Sequence, residues 1–213
     1  MNRILRATLL ATLVVAPLAA CSDSTAPEPG RISLLLTDAP GDIRTAVVTI
    51  SQIYLQGNGD EEAPPQSGRV VLREDDVTVD LLTLADQTMS LVDDVEVPGG
   101  RYAQLRFVIT GGYIEVEQAD GSTRIYASSP TYDGLPEGAQ VHGTLIMPSL
   151  AQSGLKVSFP GGFDVDGDLQ TLLIDFDVAQ SFGQQAGSSG SWVMHPVITA
   201  EDVPDDTEAT IQP

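Results

Sequence analysis

Short stretches of alternating apolar and polar residues recur along this chain, and this is the pattern of β-strands with one buried face. The alternation is clearest over residues 101–109. There the residues expected to point inward are Ala103, Leu105, Phe107 and Ile109, and those expected to point outward are Tyr102, Gln104, Arg106 and Val108. The unbroken run Leu34-Leu35-Leu36 predicts a first strand, over residues 31–37, that is buried on both faces.

The apolar phase changes once inside the second predicted strand, residues 45–55. Ala46, Val48 and Ile50 share one phase, whereas Ile53 and Leu55 take the other. A phase change within one strand predicts a β-bulge, here near Ser51 and Gln52.

Further strands are predicted between turn signals such as Pro98-Gly99-Gly100 and the hairpin signal Asp120-Gly121. They cover residues 69–73, 77–82, 113–117, 123–128, 155–159, 169–178 and 192–199. Residues 83–94 fit no period and are expected to form a helical turn or a loop, and residues 129–153 are expected to be irregular. Many short strands with almost no helical periodicity predict an all-β fold. We expect an antiparallel β-sandwich, immunoglobulin-like or prealbumin-like, of about 7–9 strands.

The first twenty residues have the layout of a secretory signal: Arg3 and Arg6, then an apolar run, then small residues before Cys21. Leu18-Ala19-Ala20-Cys21 resembles the lipobox of bacterial lipoproteins, which implies cleavage before Cys21 and acylation of its thiol. The alternative is ordinary cleavage at small residues, which leaves Cys21 as a free thiol. The apolar run is shorter than the ~20 residues that span a bilayer, whereas two acyl chains anchor a protein stably. By the same resemblance, Ser22 favours the outer membrane.

These features predict four segments. Residues 1–20 form a lipoprotein signal peptide, residues 21–30 the lipidated cysteine and a tether, residues 31–200 the β-sandwich, and residues 201–213 an acidic disordered tail. We expect a protein of the bacterial envelope, lipid-anchored to the outer membrane on its periplasmic side or at the cell surface.

The chain is strongly acidic, with 30 Asp plus Glu against 10 Lys plus Arg. Loss of Arg3 and Arg6 with the signal peptide leaves 8 basic residues and a formal charge of −22. Such a surface repels phosphate backbones, so nucleic acid is not an expected partner. The charge indicates either attraction of cations such as Ca²⁺ or a solubilising surface.

Four aspartates are candidate calcium ligands: Asp164, Asp166, Asp168 and Asp175. Carboxylates at alternate loop positions can converge on Ca²⁺, which takes six to eight oxygen ligands. The spacing departs from an EF-hand, because Leu169 stands where Gly is required and a strand follows instead of a helix. The alternative is an acidic Asp-Gly turn between strands. Calcium is therefore a possible cofactor, and no other cofactor is indicated.

Other candidate chemistry is sparse. Asp38 and Asp42 are expected to cap the turn around Pro40-Gly41, and Asp175 and Asp177 to share a solvated face, paired with Arg101 or Arg106. The only two histidines, His142 and His195, lack the spacing of a zinc site, and no nucleophile elbow, P-loop or dinucleotide fingerprint occurs. The aromatic candidates for a sugar platform are Tyr54, Tyr102, Tyr113, Tyr126, Tyr132 and Trp192, with a core role expected for Trp192.

Three blocks together suggest a family: Leu34 to Asp42 followed by Val47-Val48-Thr49-Ile50; Pro98-Gly99-Gly100-Arg101-Tyr102 with Leu105-Arg106; and Asp175-Phe176-Asp177 followed by Ser181. The chain resembles the bacterial lipoprotein family catalogued as a domain of unknown function, DUF-4382, over roughly residues 30–199. The Thr37-Asp38-Ala39-Pro40 motif is its most specific part. The resemblance implies an exported, membrane-tethered β-domain, and it brings no catalytic residues.

We therefore expect a non-enzymatic binding or interaction module of the envelope. It would be tethered to the membrane through lipid on Cys21, with a glycan or an envelope protein as partner and calcium as a structural ion. The alternatives are a carboxylate-based hydrolase and a purely structural envelope lipoprotein. The sequence does not indicate an oligomeric state.

Overall fold

The computed structural model describes residues 27–39, 43–57, 68–182, 190–204 and 207–210, without the side chains of residues 38 and 39. The described residues form twelve strands, one 3₁₀ turn (Leu81–Leu84) and one short helix, α1 (Val178–Ser181). The strands are β1 (Gly30–Ala39), β2 (Thr45–Gly57), β3 (Arg69–Arg73), β4 (Val77–Asp80), β5 (Met89–Val97), β6 (Gly100–Glu117), β7 (Thr123–Ala127), β8 (Val141–Ile146), β9 (Leu155–Val165), β10 (Leu169–Asp177), β11 (Trp192–Val193) and β12 (Ile198–Val203).

The strands form two sheets that pack together as a β-sandwich. Sheet A has the order β12-β10-β1-β5. Sheet B has the order β11-β8-β7-β6-β2-β3, with β4 also beside β2 and β9 beside β6. The predicted all-β sandwich is thus confirmed, with more strands than the 7–9 expected.

Both sheets are mixed, so the strands pair both antiparallel, as expected for most of them, and parallel. β1 runs parallel to β10, β7 to β8, and β8 to β11. Hairpins join only antiparallel strands, and a parallel pair needs a connection of about a dozen residues. The long segment between β7 and β8 allows the chain to turn back before β8, and β10 reaches β1 only after the chain has passed through β2 to β9.

The core lies between the inner faces of the two sheets. Sheet A contributes Ile32, Leu34, Leu36, Leu172, Ile174 and Phe176, and sheet B contributes Ala46, Val48, Ile50, Ile53, Leu55, Leu105, Phe107 and Ile109. Leu35, on the other face of β1, is only 4% exposed, so burial of β1 on both faces is confirmed. The predicted bulge is also confirmed, because the β2–β6 register shifts between Ile50 and Gln52.

Tyr102 was predicted to point outward but is fully buried, and its hydroxyl donates a hydrogen bond to the Pro98 carbonyl (2.8 Å). The register between β6 and β9 shifts between Tyr102 and Gln104, because β9 loops out between Ser158 and Phe163. This irregularity exchanges the two faces of β6 near its start.

Three other expected boundaries are wrong. Residues 89–94, expected in a helical turn or loop, belong to β5, whose alternation is broken by two register shifts against β1 and by a left-handed φ of 48° at Asp94. The strand expected to close at Pro160 continues through the bulge to Val165. The strand expected over residues 192–199 is split into β11 and β12 around Pro196.

The C-terminal residues also depart from the expected boundary at residue 200. β12 runs through it to Val203, paired with β10. Beyond it, Thr210 donates its amide hydrogen to the Thr88 carbonyl (2.8 Å), and the two threonine hydroxyls lie 3.2 Å apart. Residues 207–210 therefore lie against the start of β5.

Candidate functional site

The four candidate calcium ligands lie at the two ends of β10. Asp164 is the penultimate residue of β9 and pairs with Arg101, with 3.8 Å between Nη1 and Oδ2. Asp166 and Asp168 belong to a tight turn in which Gly167 has a φ of 78° and the Asp168 amide donates to the Asp166 carbonyl. Asp175 lies seven residues further along an extended strand, ~23 Å from Asp168 at ~3.3 Å per residue.

This arrangement does not bring the four aspartates into one site, which corrects the proposed ligand set. An ion-binding loop must fold back on itself, whereas here β10 extends away from the turn. Within the ranges that the structure describes, no group of three or more His, Cys, Asp or Glu side chains is placed to hold a metal ion. Cys21 and the turn at residues 40–42 lie outside those ranges.

Asp175 lies among other carboxylates, on a different sheet from the arginines expected to pair with it. Burial, reinforced by the charges of Asp177 and Glu201, raises the pKa of Asp175 above its ordinary value. Asp177 caps α1 by accepting the Gln180 amide hydrogen (2.8 Å). Arg101 and Arg106 belong to sheet B, so the predicted pairing across one sheet is wrong.

The outer face of sheet B carries a second apolar cluster beneath residues 128–140. Val47, Tyr113 and Ala127 are buried there, with Ile125, Tyr132, Leu135 and Val141 packed against them. The covering segment is rich in Ser, Thr, Pro and Gly and folds as consecutive turns. The amide of Tyr132 donates to Ser129, that of Leu135 to Tyr132, and that of Ala139 to Pro136. Residues expected only to be irregular thus form an ordered cover.

Tyr132 fixes this cover to the sheet. Its hydroxyl oxygen lies 2.6 Å from Thr49 Oγ1, and Thr49 Oγ1 lies 2.8 Å from Thr78 Oγ1. A side chain at Gly111 would meet the Tyr132 ring, since a Cβ there would lie 2.5 Å from a ring carbon. Burial raises the pKa of Tyr132, so its hydroxyl stays neutral at physiological pH.

A cleft of about 570 Å³ opens beside Tyr132, between the covering segment and strands β2, β4 and β6. We call it the Tyr132 cleft. Its lining residues are Thr49, Asp76, Thr78, Thr110, Gly111, Ser128, Ser129, Thr131, Tyr132, Asp133 and Gly134. Seven of them carry hydroxyls, two carry carboxylates, and one of the hydroxyls belongs to an aromatic ring. Such a lining offers hydrogen-bond donors and acceptors for a polar ligand.

Sequence reasoning named Tyr132 only as one of six aromatic candidates. Tyr102, Tyr113 and Tyr126 are buried, Tyr54 lies under Arg69, and Trp192 is half-buried, with its ring 5.8 Å from that of Tyr126. Tyr132 is the one that lines the cleft. One available signal was Gly111-Gly112 within a strand, because strand glycines often mark a close approach of other groups.

The histidines lie apart from the Tyr132 cleft. His142 is on β8 and accepts the Ile125 amide hydrogen at Nδ1, and the amide of His195 donates to Ser181 near α1. In the described part of the chain, no helix has the length and apolarity needed to cross a membrane.

Comparison with known proteins adds the family. No curated protein and no solved structure matches the chain. The chain belongs to the family described as Domain of unknown function (DUF4382), whose family model matches residues 29–196, as the resemblance predicted.

Proposed function

We propose that the protein is a binding module of the bacterial envelope, held to the membrane by lipid on Cys21, and that the Tyr132 cleft binds a carbohydrate. The observation that carries the proposal is the cleft itself, with seven hydroxyls, two carboxylates and an aromatic ring in one concave surface. Sugars present many hydroxyls and a few apolar C–H groups, which such a lining can match. Calcium is not part of the proposal, because the four aspartates do not converge.

The position of the cleft suits a tethered receptor. The chain joins the domain at Gly30, where the backbone passes close to Val165 and Asp168, and Glu28 lies against Gly99. β6 starts at this same end and reaches Gly111 eleven residues later, ~36 Å along the strand at ~3.3 Å per residue. The cleft therefore lies ~36 Å along β6 from the point where the tether joins the domain.

The binding proposal is tested with the purified protein on an array of envelope and exopolysaccharide glycans. Thr110→Trp places a large ring in the cleft from an exposed strand position, and Thr199→Trp makes the same change on β12 of sheet A. At least a tenfold loss of glycan binding is expected for Thr110→Trp and no change for Thr199→Trp, with thermal unfolding as the check on folding. An array without any binding, or equal binding by Thr110→Trp, contradicts the proposal. Release of shorter sugars would instead favour the hydrolase.

The anchor is tested separately, by labelling cells with a fatty-acid analogue. The protein is expected to take the label and to fractionate with membranes, and Cys21→Ser is expected to lose both properties. An unlabelled wild-type protein would show that Cys21 is not acylated. The binding result does not depend on this one.

A further inference from the structure

We infer that the Tyr132 cleft selects sugars that carry a free, protonated amino group over neutral and anionic sugars. The inference rests on the proposed carbohydrate function and names its ligand class. It comes from the positions of every basic side chain that follows Cys21 and from the lining of the cleft.

All eight of these basic side chains lie elsewhere. Three face carboxylates: Arg31 is 2.9 Å from Asp94, Arg44 bonds Glu117, and Arg101 is near Asp164. Arg69 lies over the Tyr54 ring, with 4.6 Å from Cζ to the ring centre.

The other four basic side chains also lie outside the cleft. Arg73 donates to the carbonyls of Asp75 and Leu91. Arg106 donates to Gln104 and to the Ser153 carbonyl. Lys156 is the residue of β9 that lies opposite Arg106 of β6 in the strand register. Arg124 is on β7, where it interacts with Asp120. No cation is thus placed to receive a phosphate, sulfate or uronate in the cleft.

The charges that do line the cleft are both negative and come from different elements. Asp76 belongs to the turn between β3 and β4, and Asp133 follows Tyr132 in the covering segment. Both are exposed. Two carboxylates without a facing cation repel an anionic sugar and attract an ammonium group, as charges of like and unlike sign do.

The hydroxyls in the lining indicate the class of cation. A polyamine would use the carboxylates but has no other groups for the threonine and serine hydroxyls around them, and a cationic peptide would meet those hydroxyls with its spaced backbone amides rather than with a hydroxyl on nearly every carbon. An amino sugar presents an ammonium group with three N–H donors together with ring hydroxyls, so it can use both kinds of lining group. The lining of the cleft therefore favours an amino sugar with a free amine as its ligand.

The test compares four ligands by calorimetry, at a pH where the amines are protonated: a glucosamine hexamer, its fully N-acetylated form, a galacturonate hexamer and a lysine hexapeptide. The glucosamine hexamer is expected to bind at least tenfold more tightly than the N-acetylated one, with no measurable binding of the galacturonate. Asp76→Asn and Asp133→Asn are each expected to weaken its binding about threefold, the size expected for an exposed ion pair. Asp166→Asn, at the anchored end, is the matched control and should change nothing.

Each other outcome overturns the inference in a distinct way. Equal binding of both glucosamine-based hexamers, abolished by Thr110→Trp, leaves a glycan site without amine selectivity, so the proposed function survives. Binding of the glucosamine hexamer that Thr110→Trp and both aspartate variants retain indicates general attraction to an acidic surface. Equal, aspartate-dependent binding of the lysine hexapeptide indicates a peptide site. Binding of none of the four ligands rejects the inference, and the glycan array then decides the proposed function.

Discussion

Gly111 provides the sharpest test of how the Tyr132 cleft is built. Gly111 has an ordinary backbone conformation for a strand, so alanine is allowed there, and in a strand alanine is normally more stable than glycine by ~0.5–1 kcal/mol. In this protein we expect Gly111→Ala to lower the free energy of unfolding instead. An alanine Cβ would lie 2.5 and 2.6 Å from two carbons of the Tyr132 ring, whereas carbons in contact lie ~3.5–4.0 Å apart.

The size of the effect follows from these distances. The ring must retreat by about 1 Å, which strains its hydrogen bond with Thr49, and overpacking of this kind costs about 1–3 kcal/mol. In a Tyr132→Ala background the obstructing ring is gone. The next nearest atom is then Ser128 Oγ at 3.4 Å, at the short end of ordinary van der Waals contact. There Gly111→Ala should stabilise the protein by up to ~0.5–1 kcal/mol.

The two backgrounds form a double-mutant cycle, measured by urea unfolding of the purified proteins. A coupling free energy of about 2 kcal/mol is expected between positions 111 and 132. The corresponding shift in melting temperature is roughly 4–8 °C for a domain of this size. If Gly111→Ala has the same sign and size in both backgrounds, the Tyr132 ring does not rest on Gly111 and this account of the cleft is wrong.

Three further predictions concern the rest of the domain. The folded state raises the pKa of Asp175, so the protein is more stable when this carboxyl is protonated. The stabilisation is fully present below the ordinary pKa of Asp and is lost as the pH rises through the raised pKa. Asp175→Asn should therefore stabilise the protein at pH 7 relative to wild type, and little at pH 4; an equal effect at both pH values would contradict this. Thr88→Val removes the hydroxyl that lies against Thr210 but keeps the Thr88 carbonyl that accepts the Thr210 amide hydrogen, so it should lower the unfolding free energy by no more than ~1 kcal/mol in urea unfolding, and a clearly larger loss would contradict this. Phe107→Ala, in the core, should lower the free energy of unfolding in urea by ~3–5 kcal/mol, whereas Ile146→Ala, at an exposed position, should lower it by under ~0.5 kcal/mol. Similar losses for the two variants would show that the core is assigned wrongly.

The fold was predictable where one face of a strand is buried and pairing is regular. In β2, the apolar residues on either side of the bulge are all buried, and the register shift falls at the predicted place. Prediction failed where a second irregularity breaks the period of two, as at Tyr102 and in β5. The parallel pairing of β1 with β10 was not predictable, because alternation reports which face is buried and not the direction of the neighbouring strand.

The candidate site was less predictable for a similar reason. The aspartates of 164–168 are close in sequence, so they looked like a site, yet the tight turn and the direction of β10 separate them from Asp175. The Tyr132 cleft is made by residues 49, 76–78, 110–111 and 128–134, which come together only when β2, β4 and β6 pair. Hydroxyl-rich loops are common in proteins. Residues 128–134 line a concave surface only because they pack against the outer face of sheet B.

The outer faces of the two sheets explain why the cleft lies where it does. Both carry apolar or poorly solvated residues that need a cover, since exposed apolar patches are costly in a soluble domain. On sheet A, Leu35 and Thr171 are buried, and residues 207–209 help to enclose the adjoining space. On sheet B, residues 128–140 cover Val47, Tyr113 and Ala127, and Tyr132 and Ser128 attach them to the sheet. Beside Tyr132, Thr49 of β2 and Thr78 of β4 face outward, and both line the cleft. A concave, hydroxyl-lined surface therefore results at the boundary between covered apolar sheet and open polar sheet, and a change that detaches Tyr132 should remove the cleft and uncover the cluster together.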